Sequence, residues 1–134
     1  MPQPTRIWPH GSGRTGHNQT AVDMPEGVCV VVGDVDSITL PATSDDPIWG
    51  VTAGPIKAAQ RGDVQRDGVG LVRAGVGGFA AGQRLMPEPA TGHAIPFAAP
   101  AGGNASYLGV ALTTTPENQL GEVDLAGPGA SRQG

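Results

Sequence analysis

Apolar positions along this chain fall into short, separated clusters rather than a helical stripe. Val28–Val32 is a continuous apolar run closed by Gly27 and Gly33, with the length and β-branching of a buried strand. After the Gly33-Asp34 turn, Val35–Leu40 gives a second, weaker strand. A loop from Pro41 to Pro47 follows, carrying Ser44-Asp45-Asp46. Further strands are expected at Ile48–Thr52, Gly62–Gln65, Val69–Arg73, Arg84–Met86, His93–Phe97, Tyr107–Thr113 and Glu122–Leu125. Pro96 suits an edge position, because proline cannot donate to a ladder. The sequence Glu122-Val123-Asp124-Leu125 alternates as a half-buried strand does. The one helical candidate is Pro55–Arg61. Strands spaced by about 8–12 residues with turns between them predict an all-β fold, a compact β-sandwich or barrel of β-tulip type.

The two ends read differently. Residues 1–26 contain few, separated apolar residues, no periodicity and many breakers, which predicts an extended N-terminal arm. Pro2, Pro4 and Pro9 favour an open backbone there. Trp8 has nothing local to bury it, and Arg6, Ile7 and Arg14 lie near it in sequence. Arg6, Ile7, Trp8 and Arg14 are therefore the candidate contacts of an arm that orders on a partner. The β domain is expected over 27–128, with a flexible tail at 129–134.

The chain also echoes itself. A shift of 59 residues carries Gly50-Val51 onto Gly109-Val110 and Gln60 onto Gln119. It also carries Gly62-Asp63-Val64 onto Gly121-Glu122-Val123, and Gly68 onto Gly127. A gapped echo sets Val32-Gly33-Asp34-Val35 against Ala81-Gly82-Gln83-Arg84-Leu85. The pattern predicts related β units around 48–68 and 107–127, packed on one core.

Composition narrows the functional classes. Gly (22) and Pro (13) punctuate the 134 residues, which suits short strands and tight turns. With 8 Lys and Arg against 12 Asp and Glu, net charge −4, there is no electrostatic footprint for nucleic acid. No apolar run is long enough for a membrane span, and the first twenty residues lack the apolar core of a secretory signal. The single Cys29 excludes an internal disulfide framework and a cysteine-based zinc site. With only Trp8, Trp49, Phe79, Phe97 and Tyr107 as aromatics the core is thin, and such a chain gains from burial against a partner or its own copies.

No catalytic, cofactor-binding or metal-binding set emerges. His10, His17 and His93 are scattered. No serine sits in a G-x-S-x-G elbow. Cys29 lies inside an apolar strand without a neighbouring base. The acid pairs Asp34/Asp36 and Asp45/Asp46 read as solvated loop residues. Gly75-Val76-Gly77-Gly78 lacks the helix, lysine and hydroxyl of a phosphate cradle. Arg61-Gly62-Asp63 spells an integrin-type tripeptide, but the repeat already accounts for Gly62 and Asp63.

Several pieces recur in a familiar order: Gly68-Val69-Gly70-Leu71-Val72-Arg73-Ala74-Gly75, then Ala80-Ala81-Gly82-Gln83-Arg84-Leu85, then Ala90-Thr91-Gly92-His93-Ala94. Leu108-Gly109-Val110-Ala111-Leu112 and Gly121-Glu122-Val123-Asp124-Leu125 complete the series. From about Trp49 to Gly127 the chain resembles the capsid decoration, or head-stabilising cement, proteins of tailed bacteriophages. The resemblance implies a non-enzymatic β domain on the outer surface of the virion capsid. Its partner would be the major capsid protein, whose neighbouring subunits it would clamp as a homotrimer, with an N-terminal arm reaching along the shell. It implies no cofactor and no catalytic residues. Val28–Leu40 matches the pattern weakly, and Trp49 replaces a smaller apolar residue.

Other readings remain. One is another virion β protein, such as a tail-tube or fibre-base component. A carrier-type β module is suggested by Phe79–Leu85, but it needs an exposed lysine at a hairpin tip, and the only lysine is Lys57, in Pro55-Ile56-Lys57-Ala58. An enzyme would need a pocket with converging polar groups.

Overall fold

The computed structural model describes residues 13–34, 37–98 and 104–133. Those residues form twelve strands and no helix. The first five are β1 (Gly13–Asn18), β2 (Cys29–Val32), β3 (Ser37–Thr39), β4 (Gly50–Thr52) and β5 (Arg61–Gln65). They close a barrel in the order β1-β3-β2-β4-β5, with β5 returning to β1. A second sheet has the order β6-β11-β10-β7-β8, from β6 (Gly68–Arg73), β7 (Arg84–Pro87), β8 (Ala94–Pro96), β10 (Gly109–Ala111) and β11 (Leu120–Leu125). Strands β9 (Asn104–Ser106) and β12 (Ser131–Gln133) form a separate ribbon.

Strand pairings of the first barrel recur in the second sheet at a nearly constant offset. Val51↔Gln65 and Thr52↔Val64 pair β4 with β5; a shift of 59 makes these Val110↔Asp124 and Ala111↔Val123, which pair β10 with β11. Arg14↔Val64 in the first unit becomes Gly70↔Val123 in the second. The parallel pair Asn18↔Ile38, which closes the first barrel, becomes the parallel bridge Ala74↔Ala94 between the edges of the second sheet. The bridge Met24↔Ile56 becomes Phe79↔Thr115. Even the left-handed turn residue is repeated, at Ala59 (φ 61°) and Asn118 (φ 66°). The unit therefore spans five strands, longer than the two sequence windows indicate. Cys29–Val32 answers to Arg84–Pro87, a register the gapped echo through Gly33 does not give.

Burial explains the apolar pattern. In β2 and just before it, Val28 and Val30 point into the first barrel with Met24, Ile38, Ile56 and Val64. Cys29 points the other way, into a larger core with Ile48, Val51, Val72, Phe79, Leu85, Leu108, Val123 and Leu125. The run is continuous because this segment is covered on both faces. That larger core takes Cys29, Ile48 and Val51 from the first unit and the rest from the second, so the units share it.

Three expectations are corrected. The arm expected over 1–26 gives way to strand from Gly13 onward: β1 pairs with β5 along its length, and Met24 is fully buried. β1 (Gly-Arg-Thr-Gly-His-Asn) has no apolar residue and is held by main-chain bonds, so periodicity cannot reveal it. The tail expected at 129–134 contains β12, and Gly129 N–H donates to Ile48 O. The helix expected over Pro55–Arg61 is instead a bridge at Ile56, a turn closed by Gln60 N–H on Lys57 O, and the start of β5. Pro96 lies in β8, at the end of its sheet, where a missing donor is tolerated.

Candidate partner-binding surface

Of the four candidate contact residues, Arg6, Ile7 and Trp8 lie outside the described residues. Arg14 is exposed on β1, opposite Val64 of β5. Its strand is fixed by polar anchors. The Asn18 side-chain amide, fully buried, donates to Val22 O (2.9 Å) and Ile56 O (3.0 Å), and its Oδ1 accepts from Thr20 N–H (2.9 Å). His17 Nε2 lies 3.2 Å from Ala59 O and Nδ1 3.3 Å from Ser37 Oγ. A carbonyl only accepts, so Nε2 carries the proton and Nδ1 accepts from the serine. This histidine and serine tie the barrel seam together.

Next to β1 is an apolar surface that sequence patterning missed. Val32 is 61% exposed at the end of β2, beside the half-buried Trp49. A groove on one side is walled by Thr15, Gly16, Ser37 and Ile38, and one on the other by Val31, Pro47, Ile48 and Pro128. The Arg66 guanidinium sits 4.8 Å from the Trp49 ring centroid and its Nε–H donates to Trp49 O (3.2 Å), which fixes the indole. The signal for this site was Trp49 itself, a bulky residue where the resembled pattern has a small one.

The remaining chemistry-bearing residues serve the fold. Cys29 is buried, and burial pushes its thiol up to about 12, so it stays protonated at neutral pH. Asp46 accepts from Ala42 N–H (2.8 Å) and Thr43 N–H (3.1 Å); these bonds hold its carboxyl below the usual range and shape the 41–47 loop. Burial opposes ionisation of Glu88, but hydrogen bonds from Thr91 Oγ1 (2.6 Å) and Val76 N–H (3.0 Å), with the nearby His93, outweigh it and lower its pKa. His93 is itself lowered, mainly by burial, with Glu88 pulling it up and Arg73 pushing it down. Arg61-Gly62-Asp63 lies within β5, paired to His17, Gly16 and Thr15, rather than at a loop tip. Lys57 opens a turn that Pro116 opens in the second unit, so its position belongs to the repeated architecture. Among the described residues no three His, Cys, Asp or Glu come together as a metal site.

No family model matches the chain, and no curated protein matches its sequence. Among solved structures the fold is similar to the N base of head fibre gp8.5 of bacteriophage phi29. The TM-score is 0.64 at 17% identity, covering 86% of this chain and 93% of that one. The likeness is one of fold, and it extends over most of both chains.

Proposed function

We propose that this chain is a non-enzymatic structural protein of a tailed-phage head. In this reading it decorates the outer surface of the capsid, clamping neighbouring major capsid subunits as a homotrimer and stabilising the expanded shell. The observation that carries the proposal is the shared fold with a phage head-fibre base over most of both chains. The order of the glycine-punctuated motifs from Trp49 to Gly127 supports the same class. Residues Arg6, Ile7, Trp8 and Arg14 are assigned to the attachment segment, which enters the fold at β1 beside the exposed Val32–Trp49 surface. Attachment through both body and segment raises avidity without one tight contact.

A second reading has a specific observation behind it. The structural neighbour is the base of a fibre, so this chain fits equally the base that seats a fibre on the head. Co-sedimentation with expanded, undecorated capsids from the same source tests the proposal. Saturable binding near one chain per major capsid subunit supports decoration, and sparse binding that recruits a fibre protein supports the fibre base. No binding at high protein concentration overturns both. Trp8→Ala is expected to weaken attachment by about 1–3 kcal/mol, the cost of truncating an aromatic anchor. An unchanged affinity removes Trp8 from the site.

A further inference from the structure

The outer face of the second sheet carries a charge pattern that is its own complement. Directly paired residues of neighbouring strands share a face. Asp124 of β11, Val110 of β10 and Arg84 of β7 therefore stand in one row, through the pairs Val110↔Asp124 and Val110↔Arg84. One step along, Glu122 stands between Leu71, with which it pairs, and Leu112, whose N–H donates to Glu122 O. Val110 is half-buried and the others are exposed, Leu71 by 46% and Leu112 by 45%. The opposite face of the same strands, with Val72, Ala111, Val123 and Leu125, fills the core.

The recurring strand pairings show what the equivalent face meets elsewhere in the chain. In the first unit Cys29 stands for Arg84, Val51 for Val110 and Gln65 for Asp124. Cys29 and Val51 are buried in the shared core, and Gln65 Nε2 donates to Asp67 O (2.9 Å) and Val69 O (2.8 Å). A glycine marks the same boundary in both units. Gly27 N–H donates to Thr52 O and Gly82 N–H to Ala111 O, at φ 84° and 87°. A Cβ on Gly27 would strike Leu120 and β6, whereas a Cβ on Gly82 would meet nothing within 4 Å. The face that is covered in the first unit is open in the second.

The chemistry of the open face states what its cover must offer. Gln65 donates to the carbonyls that cover it; Asp124, in its place, is a carboxylate and requires a donor. Among the described residues neither the Asp124 nor the Glu122 side chain has a hydrogen bond or ion pair. The Arg84 guanidinium lies 5.5 Å from the Phe97 ring centroid. Stacking uses the flat face of the guanidinium and leaves its N–H edge to a carboxylate. A two-fold axis parallel to β10 sets Arg84 of each copy opposite Asp124 of the other, with Val110 on Val110 and Leu112 on Leu112. An axis across the strands would instead set Arg84 on Arg84 and Asp124 on Asp124. Aligned sheets pack about 10 Å apart, a gap that an arginine and an aspartate reaching from opposite sides can close.

We infer that two copies of this chain pack face to face through the outer surface of the β6-β11-β10-β7 sheet, about a two-fold axis along β10, with reciprocal Arg84–Asp124 ion pairs flanking Val110 and Leu112. Such a contact is isologous: one patch serves both partners. It goes beyond the proposed function and stands on the sheet itself. Any three-fold contact uses other faces, so this one joins copies of neighbouring trimers where trimers form.

Sedimentation equilibrium of the purified full chain tests this without capsids, so its failure is distinct from failure of the capsid reading. The wild-type chain is expected to associate into an even number of copies. Arg84→Asp and Asp124→Arg each place two like-charge pairs in the contact, and each is expected to halve that number and to raise the dissociation constant by about 100-fold or more. The double variant, with the charges exchanged, is expected to return to within about 10-fold of the wild type. Mixing the two single variants is the decisive step: one carries only bases in the row and the other only acids, so they are expected to pair with each other and not with themselves. Cooperative melting shows that each variant folds, and the double variant repeats the test within one chain. A wild-type chain that stays monomeric or holds an odd number of copies, single variants that associate as the wild type does, or a mixture that fails to pair overturns the inference.

Discussion

Met24 has no exposed surface, although its neighbours Val22, Asp23 and Pro25 are all exposed. It bridges to Ile56 and fills the first barrel, as Phe79 does in the second unit. Met24→Ala should therefore cost about 2–5 kcal/mol in urea unfolding, the range for large-to-small core changes. A loss below about 0.5 kcal/mol would return this stretch to an arm. The glycine pair gives a second residue-scale test. Gly27→Ala and Gly82→Ala both force a Cβ into positive φ, a strain of about 1–3 kcal/mol each. Only Gly27→Ala also pushes against the second unit, adding about 1–3 kcal/mol of overpacking. Urea melts should show Gly27→Ala as the more damaging; equal losses would mean the contact between units yields without cost. Such positions show what single residues reveal in the sequence. The apolar run through Val28–Val32 displays a doubly covered strand, and the alternation Glu122-Val123-Asp124-Leu125 a singly covered one. Asn18 and His17 hold a seam through polar atoms, and no hydrophobic pattern registers them.

At the scale of elements, all nine strands expected from the apolar clusters correspond to strands β2–β8, β10 and β11, because each buries at least one side chain. β1, β9 and β12 escaped because main-chain pairing holds them: Gly13–Asn18 has no apolar residue, and Asn104–Ser106 has only Ala105. The false helix at Pro55–Arg61 has a local cause. Its alanines have high helix propensity, but Ile56 is drawn into the barrel and Ala59 is forced to φ 61° by the turn. Of the candidate site, only Arg14 could be followed from sequence to a described strand; Trp49 and Val32 became visible as a surface only once β2 was set beside β4. The β7–β8 hairpin carries a pH dependence of definite sign. Glu88 and His93 both titrate below their ordinary values of 4.5 and 6.5 in the folded chain. The unfolded chain then binds more protons across each gap, so stability is complete above about pH 6.5 and falls as pH drops through the lowered folded values. Glu88→Gln should lower Tm at pH 7, and the deficit should shrink on acidification as the wild-type carboxylate is protonated. A deficit that stays constant from pH 7 to pH 3.5 would show that Glu88 acts by packing and not by charge.

For the whole molecule, the shared core sets how the two units unfold. Cys29, Ile48 and Val51 belong by chain to the first unit and by packing to the core of the second. The first unit keeps a cluster of its own around Val28, Val30, Ile56 and Val64, but alone it would expose those three side chains to water. The second unit would lose their cover. It would also lose the anchors of the β9–β12 ribbon, where Ser106 N–H donates to Ser44 O and Gly129 N–H to Ile48 O. Only Arg66 and Asp67 separate β5 from β6, so the units have no linker along which to part. A duplicated chain could melt in two steps, as repeat proteins do when each unit is stable by itself. Here the core crosses the boundary, so a single transition is expected in calorimetry, with calorimetric and van't Hoff enthalpies equal. A fragment of residues 68–134 should lack cooperative unfolding alone and regain it when co-expressed with residues 1–67. Two resolved transitions in the full chain, or a cooperative fragment 68–134, would mean that Cys29, Ile48 and Val51 decorate a core already complete.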